Sequence, residues 1–379
     1  PEFFMIDMTN KCNLRCNYCL RNLEQEENCI STEKLRDIGK FITTYCDEYK
    51  IANISVQAWG GEPLLEKNKI IALTKFITPQ KTKVHYSIET NATLLTNDVI
   101  EELYKNHIGI GISIDGDRKC HDLQRTFVSG KGSYDTVKKN LLQAQRYYKN
   151  KIGTITTITK QTAVHIEKII EHLVLDLHIS NIKLNFVHAS TYTHGQNQCL
   201  NTQEIADTEL RILYKIIELQ ERGYDVMEHN IFIKLKNLLF REYADICLSC
   251  GCCGGEKMIV FDMDGNIYPC ELTDDASFVI GSIYKKESLI EQIKMTIDKD
   301  KAFFKMKKAV ECEKCYWKFF CRGGCTVRAL SEKRQMEVID IDHIECAINQ
   351  VLYPALMELV LRKPHIVNQM LGEDLLVDE

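Results

Sequence analysis

Strand-like and helix-like segments alternate over the first 220 or so residues of the chain. The first strand-like segment reads FFMIDMT (3–9), and five more follow at 54–63, 83–93, 108–116, 153–159 and 179–190. Segments with apolar residues spaced near 3.6 separate them, as in amphipathic helices. Consecutive strand–helix units give parallel strands joined by right-handed crossovers. The sequence therefore predicts an α/β fold with a partial (β/α)6 TIM-like barrel over residues 1–225, whose site lies at the carboxyl ends of the strands.

The character of the sequence changes beyond about residue 245. Cysteines become frequent, helical segments shorten, and FDMDGNIYPCEL (261–272) is typical of a β-hairpin with Asp264 and Gly265 in its turn. We predict a bridging segment over 226–246 and a Cys-rich domain with a hairpin and short helices over 247–350. A C-terminal helical tail is predicted over 351–379.

Seventeen of the 379 residues are cysteine. The sequence has no signal-peptide pattern and no apolar run near 20 residues, so we predict a cytoplasmic protein with no membrane partner. Short spacings between the cysteines favour metal ligation over long-range disulfides. The net charge is −5 with both signs spread along the chain, which argues against a nucleic-acid partner.

Three cysteines lie in CNLRCNYC, directly after the first strand: Cys12, Cys16 and Cys19. A [4Fe–4S] cluster with three thiolate ligands has one iron free to bind an outside molecule. A structural zinc ion would require a fourth, distant ligand, which is the alternative interpretation. Soft thiolate ligands favour the cluster.

The C-x3-C-x2-C spacing, with Tyr18 before the last cysteine, resembles the signature of the radical S-adenosylmethionine (SAM) superfamily. The resemblance implies that the open iron binds the amino and carboxylate groups of SAM. It further implies that an electron from the cluster cleaves SAM to methionine and a 5′-deoxyadenosyl radical, which abstracts a hydrogen atom from the substrate.

Other segments at strand ends resemble SAM-contacting motifs of that superfamily. They are WGGEP (59–63), ETNATLL (89–95, with Ala92 where the family has glycine), SIDG (113–116) and HDLQR (121–125). Taken singly, the first and third are ordinary turns, and His121 with Arg125 could form a surface salt bridge. Arg125 is the natural partner of the SAM carboxylate, because its fork pairs carboxylates bidentately. The resemblance implies SAM-binding roles for Tyr18, Gly60, Gly61, Glu62, Asn91, Ser113, Asp115 and Arg125.

The C-terminal cysteines follow a C-x2-C-x5-C-x3-C pattern, preceded by Cys270 and followed by Cys346. Zinc ribbons are one interpretation. The pattern also resembles the SPASM extension of radical SAM enzymes, which binds two auxiliary [4Fe–4S] clusters. The resemblance assigns the distal cluster to Cys312, Cys315, Cys321 and Cys346. It assigns the proximal cluster to Cys247, Cys253, Cys270 and Cys325.

Residues 247–255 read CLSCGCCGG, so Cys250 and Cys252 are surplus to this assignment. One of them could replace Cys247, remain free, bind substrate transiently or form a disulfide. The isolated residues Cys29, Cys46, Cys120 and Cys199 are predicted to be small buried hydrophobes.

SPASM proteins mostly modify peptides or proteins. The resemblance therefore implies a maturase of ribosomally made peptides that forms Cys sulfur-to-carbon thioethers, of sactipeptide or ranthipeptide type. Its partners would be a Cys-containing precursor peptide and an electron donor such as ferredoxin or flavodoxin. Alternatives are carbon–carbon cross-linking, epimerisation and formylglycine formation in sulfatases. The formylglycine-forming family has an Asp after the proximal-cluster Cys, where this chain has Glu271, so Glu271 is a candidate general base or a solvent-facing hairpin residue. A non-catalytic electron carrier or zinc scaffold is the alternative of another class.

Overall fold

The computed structural model describes residues 1–21, 26–188, 196–242, 252–273, 276–298, 310–331 and 341–372. Cys247 and Cys250 lie outside the described residues. The strands are β1 Phe3–Thr9, β2 Leu14–Cys16, β3 Asn53–Gly60, β4 Lys83–Thr90, β5 Ile108–Ser113, β6 Arg125–Phe127, β7 Gly153–Ile158, β8 Asn181–Phe186, β9 Met227–Glu228, β10 Met258–Phe261, β11 Asn266–Tyr268 and β12 Gly281–Ser282.

Helices cover the outer face of the barrel strands, and others lie in the described part of the C-terminal region. They are α1 Thr32–Tyr49, α2 Lys67–Phe76, α3 Asn97–Lys105, α4 Arg118–Gln124, α5 Tyr134–Tyr148, α6 Lys160–Ala163, α7 Ile166–Glu171, α8 Thr202–Glu221, α9 His229–Phe240, α10 Leu289–Asp298, α11 Val310–Glu313, α12 Lys318–Cys321, α13 Thr326–Ser331, α14 His343–Arg362 and α15 Pro364–Leu371.

The central sheet has its strands in the order β12-β11-β10-β1-β3-β4-β5-β7-β8-β9. Each of the six predicted barrel strands is present, and neighbours among β1, β3, β4, β5, β7 and β8 pair in parallel. This arrangement confirms the predicted partial barrel. It brings the carboxyl ends of these strands, and the loops that follow them, to one edge of the sheet.

The predicted hairpin is also present. Strands β10 and β11 pair antiparallel, and Gly265 in the turn between them has a φ of +82°, which favours glycine. The Asp262 carboxylate accepts hydrogen bonds from the backbone N–H groups of Asp264 and Asn266, each at 2.8 Å. Strand β10 pairs in parallel with β1, so the hairpin extends the barrel sheet. The division into domains by residue number stays a prediction.

The two faces of the barrel strands differ in chemistry. On β5, Ile108, Ile110 and Ile112 are buried in the apolar core that the helices share. Gly109, Gly111 and Ser113 face the opposite way, because successive side chains in a strand alternate between faces. The inner faces of β3, β4 and β8 likewise carry polar residues, which include Ser55, Gln57, His85, Ser87, Glu89, Lys183 and Asn185. The barrel interior is therefore a polar, partly exposed surface.

Helix α14 packs along α8. By length and composition it is the one helix in the described part of the chain that could cross a membrane. Core helices pass the same test, and α14 buries Leu352, Tyr353 and Leu356 inside the fold.

Candidate functional site

The loop that carries Cys12, Cys16 and Cys19 leaves the end of β1. It is fixed to the barrel by β2, which pairs antiparallel with β6 so that Cys16 lies opposite Arg125. Burial raises the pKa of Cys12 to about 11, and the Cys19 thiol contributes to that rise. Cys16 has both other thiols in its electrostatic surroundings. The structure therefore brings the three thiols together, and this soft donor set fits a [4Fe–4S] cluster with one open iron. No group of three or more His, Cys, Asp or Glu side chains in the described ranges is arranged to hold a single metal ion.

The glycines of the WGGEP segment lie against the start of this cysteine loop. A Cβ atom on Gly61 would lie 2.2 Å from the Lys11 carbonyl oxygen, and one on Gly60 would lie 2.4 Å from the Thr9 carbonyl oxygen. Gly61 donates its backbone N–H to Thr9 O, and Glu62 donates its N–H to Lys11 O, both at 2.8 Å. The missing side chains thus make room for the cysteine loop itself.

The Glu62 carboxylate connects the ends of β3 and β4. It is fully buried and accepts hydrogen bonds from Thr90 Oγ1 at 2.6 Å, the Asn91 N–H at 2.8 Å and the Leu64 N–H at 3.0 Å. Burial raises the pKa of Glu62, and these hydrogen bonds oppose the rise. Both carboxylate oxygens are engaged by the protein, so in this structure Glu62 orders the strand ends.

Asn91 connects the ETNA segment to the cysteine loop. Its Nδ2 donates to Asn13 Oδ1 at 2.9 Å and lies 3.9 Å from Cys12 Sγ. Ala92, which stands where the family has glycine, is fully buried with a φ of +59°. A non-glycine residue in the left-handed region costs about 1–2 kcal/mol. The chain therefore keeps the backbone bend of the glycine motif and tolerates the strain.

Asp115 is the centre of a buried hydrogen-bond network. Its Oδ2 accepts from Tyr18 Oη at 2.7 Å, Arg125 Nε at 2.8 Å and Gln124 Nε2 at 2.9 Å. Its Oδ1 accepts from the Thr157 N–H at 3.0 Å. The Arg125 guanidinium also lies over the Tyr18 ring, 5.3 Å from its centroid. Three of the predicted SAM-binding residues are thus brought together beside the cysteine loop.

His121 and Arg125 do not form the surface salt bridge considered above, since they are 0% and 8% exposed. His121 Nδ1 accepts the Asp115 N–H at 3.2 Å, so Nε2 carries the proton and donates to Ser133 Oγ at 2.9 Å. The Ser133 hydroxyl donates to the Arg125 carbonyl oxygen at 2.7 Å. Burial lowers the pKa of His121 to about 4. Among the described residues, no acceptor bonds to the Arg125 Nη atoms, which leaves that fork available for a carboxylate.

Sequence reasoning missed the charged groups of the barrel interior. Burial raises the pKa of Glu89, Glu271 adds to the rise, and Lys183 and a hydrogen bond from Gln57 oppose it. Three strands and the hairpin therefore place charged or amide groups within electrostatic range of one another. The signal in the sequence was the polar residue at every second position of strands such as KVHYSIET and NIKLNF. Ser113, the last residue of β5, lies on the same inner face.

Cys270 lies at the junction of the hairpin and the barrel. It is buried with Met5, Met258 and Val260, and Met5 faces inward on the strand that leads to Cys12. Glu271 is half-buried, and its Oε2 accepts from Cys270 Sγ at 3.1 Å. The candidate base therefore lies between a predicted cluster ligand and the barrel interior.

Some of the remaining cysteines in the described residues interact electrostatically with one another. Cys312 and Cys315 lie in the electrostatic surroundings of Cys346. Cys252 lies in those of Cys325, whose pKa burial raises to about 11. Cys253 is buried.

The isolated cysteines divide into two kinds. Cys46 and Cys120 are buried as predicted, whereas Cys29 and Cys199 are only half-buried, so for Cys29 and Cys199 the interpretation as buried hydrophobes is wrong. Cys29 accepts a hydrogen bond from Lys69 Nζ at 3.3 Å.

Residues 6–173, which include the cysteine loop, the GGEP turn and the Asp115 network, match the Radical SAM superfamily. The chain contains a radical SAM domain. It is therefore an enzyme that uses S-adenosylmethionine and a [4Fe–4S] cluster, and the resemblance stated from the motifs is confirmed. The Cys-rich region that follows the radical SAM domain is SPASM-like.

Similarity to other proteins covers most of the chain. The chain is 26% identical over 327 residues to the cysteine-type anaerobic sulfatase-maturating enzyme of Clostridium novyi (strain NT), covering 84% of this chain and 85% of that protein. The structure of native anSMEcpe with bound AdoMet and Cp18Cys peptide superposes with a TM-score of 0.81 at 20% identity, covering 98% of this chain and all of that chain. Streptococcus suis SuiB bound to precursor peptide SuiA superposes with a TM-score of 0.65 at 17% identity, covering 91% and 76% of the two chains. The fold of this radical SAM enzyme therefore extends through the SPASM-like region.

Proposed function

We propose that this enzyme matures a ribosomally made precursor peptide by forming thioether bonds between cysteine sulfur and carbon. The observation that carries the proposal is the position of Cys270 and Glu271. Cys270 packs on Met5, which lies on the inner face of the strand leading to Cys12, and Glu271 lies within electrostatic range of Glu89 in the barrel. A peptide thiol bound beside Cys270 would thus lie next to the barrel interior that the Cys12 loop covers.

The SAM half of the proposed site rests on Arg125 and the three cysteines. When bound, the cluster and SAM supply the one-electron chemistry that removes a hydrogen atom from the peptide. Cys12, Cys16 and Cys19 would ligate that cluster. The Nη groups of Arg125 would pair with the SAM carboxylate, because Asp115 engages Nε at 2.8 Å and fixes the direction of the fork. Tyr18, Gly60, Gly61, Glu62, Asn91 and Ser113 would shape the rest of this site.

Two auxiliary [4Fe–4S] clusters belong to the proposal. Cys312, Cys315, Cys321 and Cys346 would ligate the distal cluster, and the nearness of Cys312 and Cys315 to Cys346 supports this set. Cys253, Cys270 and Cys325, with Cys247, would ligate the proximal cluster. Glu271 would accept a proton from the substrate as a general base.

The partners are a Cys-containing precursor peptide and a small electron donor such as ferredoxin or flavodoxin, in the cytoplasm. Support for a peptide comes from the similar folds of anSMEcpe and SuiB, both solved with peptides bound. The polar barrel interior offers hydrogen-bonding groups for a peptide backbone, among them Gln57, Ser87 and Asn185.

The test is an anaerobic reaction with SAM, dithionite and a Cys-rich peptide encoded by a short reading frame beside the gene. We expect the peptide mass to fall by two hydrogens for each cross-link, with the cysteines blocked to alkylation. The Cys270→Ala variant should leave the peptide unmodified. A peptide that keeps its mass and free thiols with the wild-type enzyme would contradict thioether formation.

Formylglycine formation in a sulfatase is the second candidate. The identity of 26% to a cysteine-type anaerobic sulfatase-maturating enzyme and the carboxylate at Glu271 favour it. A peptide that carries a sulfatase active-site cysteine would then lose its sulfur and gain an aldehyde, which a hydrazide probe detects. Glu271 reaches one methylene further than the aspartate expected in that family, so we place this activity second.

A further inference from the structure

Four charges meet between α9, α13 and the start of α14; three of them are buried, and the fourth, Arg328, is 17% exposed. Lys234 Nζ donates to Glu345 Oε1 and, at 2.7 Å, to Asn349 Oδ1. Arg328 Nη2 donates to Asp342 Oδ2 at 2.6 Å and to Glu345 Oε2 at 3.3 Å. The side chains of Lys234, Glu345 and Asp342 are 1–2% exposed. No other lysine in the described residues is as buried.

Such a network is a costly way to stabilise a fold. Removing an ion from water costs several kcal/mol, and well-packed apolar residues often replace a buried ion pair without loss of stability. Two positive and two negative charges balance here, which limits that cost. Stability alone therefore does not account for this network. The cysteines next to it indicate another role.

The network contacts predicted ligands of both auxiliary clusters. Asp342 Oδ2 accepts the Cys325 N–H at 2.7 Å, and the Asp342 carbonyl accepts the Cys346 N–H at 2.9 Å. Burial raises the pKa of Cys321 to about 11, with Glu345 adding to the rise and Lys234 opposing it. Cys325 is a predicted proximal ligand, whereas Cys321 and Cys346 are predicted distal ligands.

The 321–325 loop also fits tightly against the network. Gly324 has a φ of +69°, and a Cβ atom there would lie 2.7 Å from Asp342 Oδ2. On the other side, Asn237 of α9 donates to the Phe320 carbonyl oxygen at 3.3 Å and to Tyr353 Oη at 3.2 Å. Helix α9 follows β9 of the barrel sheet, so these hydrogen bonds connect the barrel to the residue that precedes the loop and to α14.

We infer that Lys234, Arg328, Asp342 and Glu345 form a positioning network that sets the relative placement of the two auxiliary clusters. It does so by fixing the 321–325 loop between the barrel helix α9 and the start of α14. The inference rests on the proposed function, since it requires the auxiliary clusters. These four residues are positioning residues, because they act through the cysteines.

The test compares Lys234→Met with Lys215→Met in the reconstituted full chain. Lys215 pairs with Glu171 and Glu218 on the barrel surface, so its loss removes the same charge away from the cysteines. The wild type should hold about 12 iron atoms, for three [4Fe–4S] clusters. We expect Lys234→Met to lose at least a third of them and to change the electron paramagnetic resonance spectrum of the reduced auxiliary clusters. Lys215→Met should match the wild type in both, and Lys234→Arg should restore the spectrum.

Wild-type iron content and an unaltered auxiliary spectrum in Lys234→Met would overturn the inference, whatever happens to stability. If Lys234→Met does not fold, Asn349→Ser serves instead, with a smaller change in the same spectrum expected and no change as the contrary result. A wild type with only about four iron atoms would overturn the auxiliary clusters and this inference together. A wild type with full iron and no peptide activity would contradict only the proposed reaction.

Discussion

Substituting Gly61 by alanine tests the contact between the GGEP turn and the cysteine loop. The new Cβ atom would lie 2.2 Å from the Lys11 carbonyl oxygen and 2.6 Å from its carbonyl carbon. These are backbone atoms, which cannot rotate away as a side chain can. The loop must therefore shift by roughly 1 Å, since carbon and oxygen atoms in contact lie more than 3 Å apart.

The expected cost has two parts. Overpacking in a well-packed region costs about 1–3 kcal/mol, and the immobile backbone puts Gly61→Ala at the upper end of that range. The shift also breaks the hydrogen bond from the Glu62 N–H to Lys11 O, worth about 1 kcal/mol. We expect a loss of about 3–4 kcal/mol in the free energy of unfolding, measured by urea denaturation under anaerobic conditions.

We expect Gly61→Ala to reduce cluster content and SAM cleavage more strongly than it reduces stability. A displaced Lys11 moves Cys12, so Gly61→Ala should lose about four iron atoms and nearly all release of 5′-deoxyadenosine from SAM. Gly109→Ala is the matched control, because a Cβ atom there would meet its nearest atom at an ordinary 3.6 Å and neither glycine has a positive φ. If Gly61→Ala keeps its iron and cleaves SAM like Gly109→Ala, the steric argument is refuted.

Three further predictions concern individual residues. Burial lowers the pKa of His121 to about 4, so the unfolded chain takes up a proton near pH 6.5 and the folded chain does not. The contribution of neutral His121 to the free energy of unfolding is fully present above pH 6.5 and is lost as the pH falls towards 4. Between pH 8 and pH 5.5, the free energy of unfolding of the wild type, measured in urea, should fall by about 1 kcal/mol more than that of His121→Gln. Ala92→Gly should change stability by less than about 1 kcal/mol, because relief of the left-handed strain offsets the lost buried methyl group, whereas Ala92→Val should cost more than about 2 kcal/mol in thermal unfolding. Cys253→Ser should lose about four iron atoms and Cys252→Ser none; the reverse result would assign the ligand to Cys252, which lies in the electrostatic surroundings of Cys325.

Local patterns were sufficient to predict the barrel and the first cysteine group. Each barrel strand is a short apolar or alternating segment followed by a helical one, and Cys12, Cys16 and Cys19 are close in sequence. Both features depend on spacings of a few residues, which a sequence displays directly. The hairpin was predictable for the same reason, since its turn contains Asp264 and Gly265.

Contacts between distant segments could not be predicted. The parallel pairing of β10 with β1 joins residues about 255 positions apart, and no local pattern specifies it. Asp115 and Arg125 were each predicted to contact SAM. Their ion pair, and the hydrogen bond that Tyr18 donates to Asp115, depend on how the cysteine loop returns to β6. Lys234 lies in the segment predicted only as a bridge, and its partner Glu345 is 111 residues away. Contacts between side chains that are far apart in the sequence can be identified only from the tertiary structure.

The central claim is that the loop with Cys12, Cys16 and Cys19 holds the cluster that cleaves SAM. The most direct test measures the release of 5′-deoxyadenosine in the presence of dithionite and SAM. It compares the wild type with a triple variant in which these three cysteines are replaced by alanine. The account predicts release by the reconstituted wild type and none by the triple variant, which should still retain about eight iron atoms in its auxiliary sites. Release by the triple variant at the wild-type rate, or no release by an iron-loaded wild type, would contradict the assignment of this site.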